Sequence, residues 1–299
     1  MSYHNAVLLK ESIDALAIKQ DGVYVDVTFG GGGHSKEILK RLGKKGKLFA
    51  FDQDPDALEN KIDDERFVLI PENFRFISRF LRFHKVKKVD GILADLGVSS
   101  HQFDEAERGF STRFEADLDM RMNQKSKISA KEIINEYSEE KLANILFMYG
   151  ELRNSRNIAK TIVQERAHQK IETSFQLKTI LKKYLPNAKE HKILAQIFQA
   201  IRIEVNEELE VLKEFLLQVP NLLNEEGRLS VISYHSLEDR LVKRFIHTGL
   251  FKGEPEKDVF GRSNEPLKRV GKLIIPKPEE IKINNRARSA KLRIATLKN

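Results

Sequence analysis

The feature that most constrains this 299-residue chain is a run of four glycines, Gly30–Gly33, between two contrasting segments. The segment before the run, GVYVDVTF (Gly22–Phe29), is apolar and β-branched, and Ser35–Leu42 after it has helical periodicity. Glycine allows the backbone to approach a ligand closely, because a Cβ at that point would clash. The helix that follows directs free N–H groups towards the loop. The pattern therefore predicts a strand, a ligand-binding loop and a helix.

Similar short segments with a strand pattern recur along the chain, and the longest segment between two of them has a helical pattern. From about Ser129 to Val219 the pattern is nearly all helical, and Ser129 and Glu132 form a capping box. We expect an α/β fold in which a doubly wound parallel sheet is interrupted by an all-helical inserted domain. The expected domains are 1–107 and 207–299 for the sheet and 108–206 for the insertion. The remaining predicted strands are Lys47–Asp52, Arg66–Ile70, Asp90–Gly97, Arg228–Tyr234, Lys272–Ile275 and Ala290–Thr296.

Acidic residues stand where the first, second and fourth predicted strands end. Asp52 is placed to accept both ribose hydroxyls of an adenosine cofactor, whereas Asp54 is better explained as a helix cap before Pro55. Asp95 leaves the fourth strand beside the switch point, where doubly wound sheets bind ligands. Asp26, inside the first strand, disfavours a pyrophosphate and suits a cationic ligand such as S-adenosylmethionine. The alternative is simple strand-end polarity for Asp52 and a turn or capping role for Asp95.

The positive charge is concentrated in two places. The net charge is +8, but residues 240–299 hold 16 Lys and Arg against 6 Asp and Glu. The run 73–88 has six basic residues and no acid, and a helix there would align Arg75, Arg79 and Arg82 beside an apolar row of Phe76, Phe80 and Phe83. Taken alone, the Arg75 stripe could also be the solvent-exposed face of a helix with no partner. Both basic regions together favour nucleic acid as the binding partner.

Composition excludes several classes. There is no cysteine, which rules out disulfides and cysteine nucleophiles. No apolar run approaches the roughly 20 residues that span a bilayer, and the first residues lack the pattern of a signal peptide. We therefore expect a cytoplasmic protein without membrane association. No cluster of His, Asp and Glu has metal-ligand spacing, so no metal is expected to take part.

Several segments closely resemble the bacterial 16S ribosomal RNA cytosine-N(4) methyltransferase family, and together they span nearly the whole chain. They are His4–Leu9, Asp26–Ser35, Asp90–Ser100, Arg108–Arg113, Leu118–Asn123, Tyr149–Ala159, Phe198–Leu209, Ser230–Phe245 and Asn284–Ala295. The resemblance implies a Rossmann-like methyltransferase sheet with a helical insertion that recognises RNA. It also implies a decoding-region cytidine as target, in 16S rRNA within the small ribosomal subunit or a late assembly intermediate. The oligomeric state stays open.

Carried over by position, the resemblance implies a set of S-adenosylmethionine contacts. They are Gly32, Gly33, His34, Asp52, Phe74, Asp95 and Gln102. The candidate RNA contacts are cationic side chains, although Arg121 could instead pair with Asp119. They are Arg75, Arg79, Arg82, Arg121, Arg286, Arg288 and Lys291.

The chemistry requires a hydrogen-bond acceptor, because the lone pair of a cytosine amine is delocalised into the ring. Asp95 is the candidate, although it could instead bind the cofactor. His235, after the fifth strand, is a second candidate, with a structural role as its alternative. General amino-methyltransferases carry an Asp/Asn-Pro-Pro-aromatic motif here, but this chain has Asp-Leu-Gly-Val at 95–98. Base stacking must then come from elsewhere, and the candidates are Phe103, Phe110 and Phe114.

Three other functions fit parts of the pattern. A DNA amino-methyltransferase needs the same cofactor crevice, but its usual fourth-strand motif is missing. A nicotinamide-dependent dehydrogenase shares the fold, but Asp26 and the basic C-terminal region disfavour it. A non-catalytic RNA-binding assembly factor would not need an intact Gly30–Gly33 loop and Asp52.

Overall fold

The computed structural model describes residues 6–256, 260 and 263–298. The chain divides into two compact units. Met1–Gly97 and Leu209–Asn299 form the first, here called the sheet unit, and Val98–Glu208 forms the second, the helical unit. The inserted domain expected at 108–206 is therefore shorter at both ends than the helical unit.

The described residues form seven strands and twelve α-helices, and α4 to α10 follow one another without an intervening strand. The strands are β1 Val23–Asp26, β2 Lys47–Phe51, β3 Phe67–Ile70, β4 Val89–Asp95, β5 Leu223–Ser233, β6 Leu267–Arg269 and β7 Lys291–Leu297. The helices are α1 Leu9–Ala15, α2 Gly33–Arg41, α3 Ile77–Phe83, α4 Ser100–Asp104, α5 Ala130–Glu136, α6 Glu139–Met148, α7 Ser155–Arg166, α8 Ser174–Ile180, α9 Glu190–Asn206, α10 Glu208–Leu222, α11 Ser236–Thr248 and α12 Pro278–Ile283.

The seven strands form a single sheet in the order β3-β2-β1-β4-β5-β7-β6. The first five strands in this order are parallel. β7 runs antiparallel to both β5 and β6, so the sheet is not wholly parallel as expected. The strand order reverses between β1 and β4. In an open α/β sheet, the crevice at such a reversal is where a ligand binds.

Both faces of the central strands are buried, as the apolar runs in the sequence require. Alternate residues point to opposite sides. Val25, Phe49 and Ile92 belong to a cluster that includes residues of α3, α10 and α11. Tyr24 and Leu48 belong to a second cluster with residues of α1 and α2. The sheet is therefore a rigid central layer, and its carboxyl edge is a stable platform for a site.

The helical unit has its own hydrophobic core, drawn from α5 to α9. Helix α5 begins as predicted, because Ser129 and Glu132 form a capping box in which the Ser129 N–H donates to the Glu132 carboxylate at 2.7 Å. The helical pattern predicted up to Val219 contains a break near its end. Glu207 has a left-handed backbone (φ 50°), and this residue separates α9 from α10.

One local expectation is wrong. Lys272–Ile275 is not a strand, because the chain turns at Gly271 (φ 66°) and only Ile274 then bridges to Leu292. The edge strand is β6 instead. The phenylalanines beside the Arg75 stripe do not form a buried row, since Phe83 is 78% exposed and Phe76 is 42% exposed. The buried face of α3 is formed by Ile77 and Leu81 instead.

None of the helices in the described ranges is both long enough and apolar enough to cross a membrane.

Candidate active site

The glycine loop between β1 and α2 is held in a conformation that requires glycine. Gly32 has φ 74° and caps α2, and its N–H donates to the Phe29 carbonyl at 2.8 Å. A Cβ on Gly32 would lie 3.0 Å from the Phe29 ring, whereas a Cβ on Gly31 would meet nothing within 4 Å. The loop therefore passes tightly over the end of β1 and leaves open space on its outer side.

Asp52, directly after β2, fastens this loop from the neighbouring strand. Its carboxylate accepts the N–H of Gly30 at 2.8 Å and the N–H of Asp54 at 2.9 Å. Burial raises the pKa of Asp52 to about 6. A carboxylate has about four lone-pair sites, so Asp52 can still accept ribose hydroxyls. The prediction that Asp54 is a helix cap is confirmed, since it caps the 3-10 helix Pro55–Asn60 by accepting the Asp56 N–H.

Asp26 does not face a ligand, contrary to expectation. It is fully buried, and it accepts the Ser35 hydroxyl at 2.7 Å and the Thr28 N–H at 3.1 Å. Burial raises the pKa of its carboxyl. Asp26 therefore positions the two ends of the glycine loop.

Asp95, the last residue of β4, contacts residues that follow two neighbouring strands. Its carboxylate accepts the Tyr234 hydroxyl at 2.7 Å, and its backbone N–H donates to the Thr28 hydroxyl at 2.7 Å. Its other carboxylate oxygen lies 3.7 Å from Nδ1 of His34. Burial raises the pKa of Asp95 to about 6. Asp95 thus joins the ends of β1, β4 and β5.

His34 and Tyr234 hold Asp95 from two sides. His34 is buried at the start of α2, and its Nε2 lies 3.2 Å from the Val7 carbonyl. Nδ1 of the same ring faces Asp95 at 3.7 Å, which is longer than a direct hydrogen bond. Burial and the nearby Asp95 carboxylate raise the pKa of Tyr234 well above its usual range, so its hydroxyl keeps its proton and donates.

The sequence analysis did not identify Tyr234 as a site residue, although it precedes His235, which was a candidate. What places Tyr234 in the site is the register between β4 and β5. Ile232 of β5 is paired with Asp95 of β4, so Tyr234 follows two residues beyond the paired position. This register could not be read from the sequence.

Phe74 and Gln102 are placed differently. Phe74 is half-buried in the turn after β3, where its ring packs edge-to-face on Phe215 with centroids 5.4 Å apart. Gln102 is buried in the helical unit, and its side-chain oxygen accepts the Ser99 N–H in the capping box of α4. The cofactor contacts expected of both residues stay predictions.

His235 also has a structural task. It stands at the carboxyl end of β5 as the N-cap of α11, where Nδ1 accepts the Glu238 N–H at 3.4 Å. Nε2 lies 3.2 Å from the Glu238 carboxylate. The capping role accounts for Nδ1, whereas Nε2 is buried without a hydrogen-bond partner among the described residues. The catalytic role expected of His235 stays a prediction.

Three of the cations expected to contact RNA are ion-paired. Arg75 forms a two-bond pair with Glu214 (2.6 and 2.8 Å). Arg121 pairs with Asp119 in the same way and also donates to the Ser126 carbonyl, so the structural alternative is correct. Lys291 lies 3.2 Å from Asp239. Arg79, Arg82 and Arg288 are exposed, and Arg286 is half-buried.

Two of the three stacking candidates line one cavity of about 220 Å³ within the helical unit. Phe103 and Phe110 line it together with Phe198 and five polar side chains, which are Ser111, Thr112, Arg113, Gln199 and Arg202. Phe114 is not among the lining residues and is 43% exposed.

The reversed strand order, the glycine loop at β1 and the acids after β2 and β4 define a Rossmann-like methyltransferase sheet with a cofactor crevice at β1 and β4. The model of the MraW methylase family matches residues 1–298. Ribosomal RNA small subunit methyltransferase H of Christiangramia forsetii is 68% identical over 99% of this chain and 98% of its own. Its namesake in Flavobacterium johnsoniae is 67% identical over the same shares. The chain belongs to the MraW methylase family, which confirms the resemblance found in the sequence.

Among solved structures, an rRNA methylase from Streptococcus thermophilus is 13% identical, with a TM-score of 0.43 over 100% of this chain and 99% of that one. This distant likeness carries no weight in the assignment.

Proposed function

We propose that this chain transfers a methyl group from S-adenosylmethionine to the exocyclic N4 amine of a cytidine in the decoding region of 16S ribosomal RNA. The observation that carries the proposal is the linked crevice at β1 and β4, in a chain that belongs to a methylase family. There the glycine loop, Asp52 and Asp95 meet at the carboxyl edge of the sheet.

The geometry supports the proposed cofactor residues. The open outer side of the loop at Gly31 leaves room for the methionine part of the ligand. Asp52 is preorganised by two backbone N–H groups to accept the ribose hydroxyls. The half-buried ring of Phe74 offers an apolar surface to the adenine. When bound, S-adenosylmethionine supplies the methyl group on a sulfonium, a good leaving group.

Asp95 is the residue that acts on the amine. The target nitrogen must lie about 3 Å from the methyl carbon and in line with the bond that breaks. An amine N–H that donates to Asp95 would help to localise the nitrogen lone pair and give the proton an acceptor. Tyr234 holds the carboxylate for this task through a hydrogen bond, so it is a positioning residue, and His34 lies beside the other carboxylate oxygen.

The substrate is proposed to be RNA inside the small ribosomal subunit or a late assembly intermediate, and the place of action the cytoplasm. The exposed Arg79, Arg82 and Arg288 support a polyanionic partner. The aromatic cavity of the helical unit suits an unstacked base, which loops and junctions of folded RNA provide.

The direct test is transfer of tritium from methyl-labelled S-adenosylmethionine to small-subunit particles that lack the modification, followed by nucleoside analysis. We expect label in N4-methylcytidine. Label in a DNA substrate would favour a DNA amino-methyltransferase instead. RNA binding without transfer of label would favour an assembly factor.

A further inference from the structure

A shallow cleft in the sheet unit, distant in sequence from the glycine loop, is lined by basic side chains. α11 contributes Lys243 and His247, β6 contributes Arg269, and Lys272 follows the turn at Gly271. Its apolar lining residues are Ile246, Val270, Leu273 and Ile294. The lining includes no carboxylate and no aromatic ring other than His247. We call it the α11–β6 cleft.

The cations at the rim of this cleft have no acidic partner among the residues that the structure describes. Lys243, Arg269 and Lys272 are exposed and form no ion pair there. Arg269 donates to the carbonyl of Gly271, at 2.6 Å. Arg293 lies deeper and is different, because Asp239 accepts two hydrogen bonds from it.

We propose that the α11–β6 cleft binds phosphate groups of the RNA backbone. This inference rests on the proposed function and adds a contact surface to it. Three uncompensated cations around one depression create a local positive potential, which attracts a polyanion strongly. The lining has no ring to stack on a base, so the cleft suits backbone contacts that position the RNA rather than read its sequence.

These phosphate contacts differ from those that the sequence alone indicates for the basic C-terminal region. Lys243, Arg269 and Lys272 belong to the same basic region as Lys291 and Arg293. Lys291 and Arg293 share Asp239, however, so part of their charge is already balanced inside the protein. The structure thus favours the rim cations over Lys291 and Arg293 as phosphate contacts, beside the exposed Arg288 of the same region.

The test compares two triple variants with equal loss of charge. The first is Lys243→Gln/Arg269→Gln/Lys272→Gln. The control is Lys10→Gln/Lys40→Gln/Lys213→Gln, whose lysines pair with Asp14, Glu37 and Glu210 elsewhere in the sheet unit. For each we would measure the KM for small-subunit particles across a salt series, kcat, and cofactor Kd by calorimetry.

We expect the cleft variant to raise KM at least about tenfold at low salt and to lower the slope of log KM against log salt by about 2, roughly 0.7 for each lost phosphate contact. The cofactor Kd should stay unchanged, and the control variant should behave as wild type. A cleft variant whose KM and slope match the control would overturn the proposal. If the triple variant fails to fold, Arg269→Gln alone is tested for a slope change of about 0.7.

Failure of the proposed function gives a different result, because wild type would then transfer no label at all. A second arm uses vesicles of phosphatidylglycerol and phosphatidylcholine. Vesicle binding that the cleft variant loses, together with wild-type kinetics on particles, would assign the cleft to a lipid surface and reject the RNA proposal.

Discussion

At the scale of single residues, the site is governed by two carboxylates that burial makes easier to protonate. The pKa values of Asp52 and Asp95 are both raised to about 6, mainly because the charged form is desolvated. Both should therefore be mostly ionised at neutral pH and mostly protonated below pH 5. A protonated acid has fewer lone pairs to offer, so both proposed roles weaken in the same acidic range.

The first prediction concerns Asp95→Asn. The variant keeps the side-chain volume but loses the charged acceptor, so we expect kcat on particles to fall at least about a hundredfold. In wild type, kcat should decline as the pH drops through about 6, because Asp95 becomes protonated. The residual activity of the variant should lack that decline. Wild-type kcat and cofactor affinity in the folded variant would exclude Asp95 from both roles.

Tyr234→Phe tests the positioning of Asp95. The change removes the hydroxyl that donates to Asp95 at 2.7 Å, a bond that favours the ionised carboxylate. We expect the acidic limb of the kcat profile to move to higher pH, with a smaller loss of kcat than in Asp95→Asn. A purely structural tyrosine would change the melting temperature and leave the position of the limb where it is.

Asp52→Ala should weaken S-adenosylmethionine binding by about 1–3 kcal/mol, the cost of leaving ribose hydroxyls without a charged acceptor. The loss should be larger than in Asp52→Asn, since asparagine keeps one oxygen for Gly30 or the ribose. Calorimetry at pH 7.5 measures both. Unchanged affinity in folded Asp52→Ala would remove this residue from the cofactor site.

At the scale of elements, sequence patterns predicted most strands. They failed where the same short apolar pattern is compatible with either a strand or a loop. β2, β3, β4 and β7 lie within one or two residues of the predicted segments, because each is a short apolar run bounded by polar residues. The run 272–275 looks similar but does not form a strand, since the preceding turn at Gly271 decides which residues reach β7. Such a turn acts on pairing over a distance that local periodicity does not encode.

The glycine loop gives an element-level prediction with an internal control. Gly32→Ala forces a side chain into a left-handed conformation and against the Phe29 ring, so we expect a loss of about 1–2 kcal/mol of folding stability and weaker cofactor binding. Gly31→Ala meets nothing within 4 Å and should be far milder for folding. Thermal melts with and without S-adenosylmethionine test both. Equal effects of the two changes would show that the loop is not held as described.

At the scale of the whole molecule, the net charge of +8 predicts how activity depends on salt. Raising the salt concentration from 50 to 200 mM should increase the KM for particles steeply, because bound phosphates release counterions. The cofactor Kd should change little, since S-adenosylmethionine carries no phosphate. Kinetics on particles and calorimetry measure the two quantities. A flat KM, or equal efficiency on a short free oligonucleotide, would contradict a structured RNA substrate.

The family and the fold class were accessible from the sequence, but the partners of most site residues were not. Glycine loops and strand-end acids leave local signals, so Gly32, Asp52 and Asp95 could be singled out. Ion pairs such as Arg75 with Glu214, and hydrogen bonds such as Tyr234 with Asp95, join residues more than a hundred positions apart. Only the folded chain shows which cations already have an acidic partner, and the proposed RNA contacts differ from the expected ones for this reason.

The pairing of β4 with β5 also has a kinetic consequence. Val89 pairs with Leu223, and Asp95 with Ile232, so the helical unit lies in the chain between the two paired strands. If this intervening chain were unfolded, bringing the strands together would close a very long loop at a high entropic cost, and contacts of this kind slow folding. A helical unit that folds first would hold its own two ends at a fixed separation and shorten the effective loop. Substitutions in its core, such as Ile201→Ala, should then delay completion of the sheet in refolding experiments, although Ile201 lies in the other unit.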